Sequence, residues 1–426
     1  MKDHYGNPIS TGSSTARDHY DAGVKLLLGS GFGAIPEMEA ALAADPGFAL
    51  GHVGLARAHM AAADMPAARA ALARAETLVA SGTDREKQHV AANMLMARGK
   101  SAAARSMVER HIRDYPCDAL VAQMCTSVFG LIAFSGCAAT EPQILAYTSG
   151  LLPHYGDDDW WIKSVHAVSL CETGQPERAL DLMETSLALN PENANGAHFK
   201  SHALYEMGQT EQGRRYLEKW IAGYDRRGVL HGHLAWHVAL WALAQGDHAA
   251  MWTRFDTEIG PGASQGLPIN ILTDCASLLH RAALAGVDVP AERWAAISAY
   301  AATAFPNPGQ SFVDLHAGLA HAMAGDGERL ARYLEAEKGY ATDLIRPITA
   351  CWAAMVHQDW DAAITALAPA MAETARLGGS RAQRDLLEFT YLHLLLKTGN
   401  SAEAKRLLQT RRPALGPAQP VAGLVA

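Results

Sequence analysis

"DWWIKSVHAVSLCETGQPERALDLMETSLALNPENANGAHFKSHALYEMGQTEQGRRYLEKW", residues 159–220, decides the fold. Apolar residues recur along it at helical spacing, with none of the alternation of a strand. One helix ends at Gly174, a second carries Ala179 and runs to Leu189, and Asn190–Pro191 closes the pair. A new pair starts at once, with Gly208 standing where Gly174 stood. The period is about 34 residues, the length of the tetratricopeptide helix–turn–helix unit. Small residues at Ala167, Ala179, Ser201 and Gly213 fall where two helices of such a unit must approach closely.

Outward from this stretch the same frame repeats. "ADPGFALGHVGLARAHMAAADMPAARAALARAETL" (44–78) is a clear copy, and "DREKQHVAANMLMARGKSAAARSMVERHIRDYP" (84–116) is another, closing at Pro116. Looser pairs are expected over 118–153, 229–259, 267–304, 309–339, 344–377 and 381–410. The fold class is therefore all-α, a tetratricopeptide-like helical-repeat solenoid of about eleven antiparallel helix pairs. Residues 1–412 are expected to form one such array, clearest at 15–116 and 158–224 and looser over 229–412. The Pro- and Gly-rich tail, 413–426, is expected to fray or lie on the surface. In such an array the first helix of each pair lines the inner wall, which can enclose a pocket or present an open groove.

Composition narrows the function. The 426 residues are 49% hydrophobic and 19% charged, with a mean hydropathy of −0.04. A formal net charge of −8 with no basic stripe argues against nucleic acid and anionic membrane as partners. No run of about 18 apolar residues offers a membrane span. The first 23 residues have no apolar leader, and the six cysteines are scattered without a C-x-x-C pair. Both features lead to the expectation of a cytoplasmic protein with reduced thiols. Nineteen histidines, beside nine Phe and nine Trp, is the feature that points to chemistry.

Two of the repeats carry histidine pairs. His198 and His202 lie in "NGAHFKSHALYEMGQ" (195–209), and His233 and His237 lie in "HGHLAWHVALWALAQG" (231–246). Residues four apart share a helix face. In tetratricopeptide units these positions usually face inward, so two neighbouring inner helices each present two imidazoles. Crowding and burial disfavour protonation, and neutral imidazole is the metal-binding form. The spacing is that of helical metal sites, but the spacers "FKS" and "LAW" lack the glutamate of H-E-x-x-H, so the site is no zincin. A divalent transition metal (zinc, iron or manganese) is the candidate cofactor, held by these four histidines alone or with a carboxylate from elsewhere, such as Asp274 or Asp314. The bland alternative is that each histidine is a satisfied core residue.

The histidine-bearing words, together with "LTDCASLLHRAALAG", "SFVDLHAGLAHAMAG" and "GGSRAQRDLLEFTYLHLLLKTGNSAEAKRLL", resemble in their order the tetratricopeptide repeat protein 38 family over roughly 160–410. The resemblance implies an all-helical repeat fold and family histidines at His198, His202, His233, His237 and His316. It brings no established reaction. At "HGHLAWH" the sequence keeps both histidines and the Trp before the second, but Leu234–Ala235 are smaller than the polar–aromatic residues usual there.

Around this centre stand His316 as an assisting group and Trp161, His166, Trp236, Asp274 and Asp314 as candidate ligand-binding residues. Each has a structural alternative: His166 packing between helices, the tryptophans as core. No G-x-S-x-G, G-x-x-x-x-G-K-[ST] or strand-borne G-x-G-x-x-G occurs. Two readings follow. In the first, a histidine-lined inner pocket binds a small molecule and transforms it by metal-assisted hydrolysis or histidine acid–base chemistry. In the second, the chain is a non-catalytic interaction scaffold that holds a partner peptide in its groove.

Overall fold

The turns between helices carry the repeat. In the computed structural model, which describes residues 1–411 and 421–424, most pairs are joined the same way. The first helix ends on a residue with positive φ, and the next backbone N–H reaches back to a carbonyl five residues earlier. Gly174 (φ 83°) precedes Gln175, whose N–H meets Leu170 O at 2.9 Å. Gly208 (φ 67°) does the same before Gln209, and Gly246 (φ 74°) before Asp247. This is the left-handed helix stop that glycine adopts without a Cβ penalty. The residue after it starts the next helix: the Asp247 and Asp326 side chains cap the helices that begin at His248 and Gly327 through the N–H groups of Ala250 and Arg329. The glycines that mark the period in the sequence are therefore hinge points of the backbone.

The described residues contain no strand, only an isolated bridge between Lys2 and Pro8. The chain divides into two compact units. The first comprises residues 1–135, 141–200 and 224–230, and the second comprises 136–140, 201–223 and 231 onward. The helices of the first half are α1 (Ser14–Gly29), α2 (Ala34–Ala44), α3 (Ala49–Ala61), α4 (Met65–Leu78), α5 (Asp84–Ala97) and α6 (Ser101–Asp114). They are followed by α7 (Ala119–Ala122), α8 (Thr140–Leu151), α9 (Trp160–Glu172), α10 (Pro176–Leu189) and α11 (Ala194–Glu206). The boundary between the units falls inside α11, after Lys200.

In the first unit α1–α2, α3–α4, α5–α6 and α9–α10 pack as antiparallel pairs. The pair expected over 118–153 is only half realised. α7 has four residues, and 123–139 follow as short 3-10 turns and loop before α8. The stretch "CTSVFGLIAFSG" explains this: Thr, Ser and Val are poor helix formers, and Gly130 and Gly136 break what helix they could make. The N-terminal residues form a strap, with Ser10 on Glu86 (2.8 Å) and Thr11 on Asp45 (2.6 Å).

The second unit holds α12 (Thr210–Ile221), α13 (His231–Ala244), α14 (His248–Arg254), α15 (Pro268–Leu284), α16 (Ala291–Ala304), α17 (Ser311–Met323), α18 (Gly327–Leu334), α19 (Thr342–Val356), α20 (Trp360–Leu367), α21 (Arg381–Lys397) and α22 (Ser401–Arg411). Its first helices, α13, α15, α17 and α19, lie side by side, and α21 returns to pack on α15. All but two residues of α13 are buried. An amphipathic surface helix keeps a polar face; α13 has none, because neighbours cover it all round. Close approach needs the small residues: a Cβ on Gly213 of α12 would stand 2.4 Å from the Trp241 ring of α13. Of the tail, only 421–424 are described. Val421 and Leu424 are buried with Leu284, Phe389 and Leu392, and Ala422 N–H donates to Leu284 O at 2.7 Å; the rest of 413–426 lies outside the described residues. No described helix is long and apolar enough to cross a membrane.

Candidate metal centre

α13 delivers His233 and His237 from one face, and the second half of α11 delivers His202. The His202 and His237 rings are 4.8 Å apart, centre to centre, and His233 and His237 are 5.0 Å apart. One ligand nitrogen from each of the three lies within 4.8 Å of the others. All three are withdrawn from water, at 1% exposure for His202, 4% for His233 and 1% for His237. His198 sits one turn earlier on α11, on the face that carries His202, in the part of that helix belonging to the first unit.

Asp274 of α15 sets the chemistry of the group. Both its oxygens lie 2.9 Å from His233 Nδ1. A carboxylate there holds the proton on Nδ1 and turns Nε2 into the donor atom, the arrangement found behind metal-bound histidines. Trp236 stacks on the His233 ring at 5.2 Å and is itself anchored by Nε1–H donating to Ser277 Oγ (3.1 Å). The ring of His233 is thus held by the Asp274 carboxylate at its edge and by the Trp236 plane on its face. Burial, then the neighbouring His202 and His233, then Arg281, push the His237 pKa well below the ordinary histidine value. Burial raises the Asp274 carboxyl, opposed by His233. These surroundings keep the His237 imidazole neutral.

The remaining residues singled out in the sequence lie in other surroundings. His316, on α17, turns Nδ1 to the carbonyl of Phe312 (2.8 Å) within its own helix, and burial lowers it to about 4. Asp314 accepts from the Gly309 N–H through both oxygens (3.2 and 3.0 Å), closing the loop before α17, and burial raises it to about 7. His166 lies in the first unit, its Nδ1 3.1 Å from the Thr148 hydroxyl. Trp161 is a fully buried core residue of that unit beside Tyr155. Of these candidates, Asp274 and Trp236 join His202, His233 and His237.

Two further polar groups escaped the sequence reading. Arg281, on α15, donates to the Tyr205 hydroxyl (2.6 Å) and to Ala382 O (3.0 Å), and Tyr205 in turn donates to Asp385 Oδ2 (2.6 Å). Its one signal was an arginine inside the apolar run "LLHRAAL". In the first unit, Asp118 Oδ2 receives Arg85 Nε (2.8 Å) and stands 3.0 Å from both His89 Nδ1 and His111 Nε2. His89, His111 and Asp118 have the donor set of a metal site. The Arg85 guanidinium, shared with Asp3 at 3.0 Å, already fills the cation's place. This second group is a self-neutralised knot tying the N-terminal strap to α5.

No family model matches the chain. Among solved structures, yeast Tom70 is similar at 13% identity, covering 93% of this chain and 91% of that one, with a TM-score of 0.37. The P58(IPK) TPR domain overlaps 93% of this chain and 98% of its own at 15% identity and a TM-score of 0.21. Naa15/Naa10 bound to HypK gives 11% identity, 96% and 64% coverage, and a TM-score of 0.25.

Proposed function

We propose that the chain is a non-catalytic helical-repeat scaffold whose second unit is locked around a histidine-held transition-metal ion. The observation that carries this reading is the Asp274–His233 pair directed into a water-excluded group with His237 and His202. With metal–nitrogen bonds of about 2.0–2.1 Å, the ring centres of two tetrahedral imidazole ligands stand about 5 Å apart. The 4.8 and 5.0 Å separations match that value. An all-imidazole set suits zinc or iron better than manganese, which prefers oxygen. A catalytic metal keeps an open position for water and substrate, whereas a structural one is closed. Burial of every ring in the group favours the closed kind, and with it a scaffold over a hydrolase.

The partner of such a scaffold is a protein, bound on the extended surfaces that stacked helix pairs create. Within the second unit an open peptide groove is disfavoured by the burial of α13, α15 and α17. A small-molecule substrate at the histidines is the second reading. The family proposed is the tetratricopeptide repeat protein 38 family, on the order of the histidine-bearing words, and the compartment proposed is the cytoplasm.

The test is elemental analysis of untagged protein purified without chelator, beside a His202→Ala/His237→Ala variant. About one equivalent of zinc or iron, lost in the variant, is expected. Metal-free protein that takes up none on reconstitution would overturn the metal reading, and metal-dependent turnover of a hydrolase substrate would overturn the scaffold reading.

A further inference from the structure

Asp274 with His233 and Ser277 with Trp236 are each 41 residues apart, so α13 and α15 run in register. That register sets Arg281 of α15 one helical turn past the level of His237, and Tyr205 stands one turn past His202 on α11. Arg281 and Tyr205, joined to each other at 2.6 Å, are both fastened to α21. Ala382 O accepts from Arg281 (3.0 Å), and Asp385 Oδ2 accepts from the Tyr205 hydroxyl (2.6 Å). α21 therefore covers the layer next to the histidines, and all of these groups belong to the second unit.

The seam between α15 and α21 is polar and incompletely satisfied. The Thr390 hydroxyl donates to Leu386 O (2.6 Å) and so accepts from His280 Nε2–H (2.9 Å), which leaves His280 Nδ1 a buried acceptor with no partner. On α21 itself, Gln383 Oε1 takes the Ser380 N–H (3.0 Å), while its Nε2 is buried with no partner. Helices packed for good seldom leave such groups unpaired. A helix that lifts into water restores their hydrogen bonds each time it does so.

The two ends of α21 differ. Two 3-10 turns, Ala368–Ala372 and Thr374–Leu377, stand before it in place of regular helix, and Gly378 and Gly379 follow with φ of 76° and 73°. A Cβ on Gly379 would lie 2.4 Å from the Phe312 ring, so this joint is glycine by necessity. Farther along, Phe389, Leu392 and Leu395 form an apolar cluster with Leu284 of α15 and with Val421 and Leu424. The Ala422 N–H ties that last segment to Leu284 O (2.7 Å).

We infer that α21 is a gate to the histidine centre, pivoting at Gly378–Gly379, opening along its polar seam with α15 and latched shut by Val421 and Leu424. What passes the gate rests on the metal reading; that it opens does not.

The experiment is hydrogen–deuterium exchange of the full, chelator-treated chain, beside a Val421→Asp variant. Diethyl pyrocarbonate, which modifies neutral imidazole, reads access to His202 and His237. In the wild type the amides of 381–397 are expected to exchange about tenfold or more faster than those of 231–244. Val421→Asp is expected to quicken 381–397 further, to spare 231–244 and to raise modification of the two histidines by a similar factor. Three results would each overturn the gate: equal exchange of the two segments in the wild type, both segments quickened together in the variant, or faster exchange with unchanged histidine modification. The first needs no variant, so it holds even if Val421→Asp fails to fold. Elemental analysis judges the metal separately: a metal-free chain with the expected pattern keeps the gate and loses the ion, and a metal-bearing chain without the pattern does the reverse.

Discussion

Asp274 on α15 and His233 on α13, 41 residues apart, meet through both carboxylate oxygens at 2.9 Å from Nδ1. If that contact orients a metal ligand, Asp274→Asn should weaken metal retention about 10–100-fold while leaving the helical content intact. Competition against a graded series of chelators measures it. Unchanged retention would mean that Asp274 merely satisfies a core histidine.

Acid should destabilise the metal-free protein early. His237 is held well below the ordinary histidine value, His280 at about 3 and His316 at about 4, all by burial first. Below about pH 6.5 the unfolded chain therefore takes up protons that the folded chain refuses, so stability falls with pH until the folded values are reached. The slope is roughly 1 kcal/mol per pH unit for each such histidine. Urea denaturation at pH 7.5, 6.0 and 5.0 tests this. A His280→Gln/His316→Gln variant should show a shallower slope, and a flat profile in the wild type would contradict the burial argument.

The knot at Asp118 offers a charge test. Arg85→Met leaves Asp3 and Asp118 buried without their guanidinium, a loss of about 3–5 kcal/mol at neutral pH. Part of the loss should be recovered on acidification, as the abandoned carboxyls take up protons. Denaturation of Arg85→Met against wild type at pH 7.5 and pH 5 reads both effects.

Gly213→Ala is a packing test. The added methyl would stand 2.4 Å from the indole of Trp241, so α12 and α13 must part or the indole must turn. A cost of about 1–3 kcal/mol is expected, seen as a lowered Tm. Gly246→Ala instead meets no atom within 4 Å but strains a φ of 74°, which makes it a control for backbone against contact.

The helix pairs were readable because their punctuation is local. Gly174 and Gly208 each close a turn with a bond spanning five residues, so the chain announces them where they stand. The pairing of His233 with His237 was equally readable, being one turn of one helix. Asp274 was named only as one of two carboxylates that could join an ion at the histidines; that it meets His233 depends on α15 packing beside α13. The contact of Arg281 with Tyr205 was invisible for the same reason, since it joins residues 76 apart on different helices. His89 has its partner far along the chain, since Asp118, 29 residues on, is 3.0 Å away. Around 123–139 the repeat frame overreached, because spacing continued while the residues ceased to favour helix.

The return of α21 onto α15 also fixes an order of events. His202, His233, His237 and Asp274 are all made before residues 275–380, and α21 comes only after those. Chains fold from the N-terminus as they emerge, so for much of synthesis the ligand helices exist without the helix that seals against them through Tyr205–Asp385 and His280–Thr390. An ion that enters in that interval meets an unfinished wall; one that comes later must wait for the wall to open. On the proposed metal reading, loading is then a matter of timing as much as of affinity, and exchange from the finished protein should be slow even where equilibrium favours it.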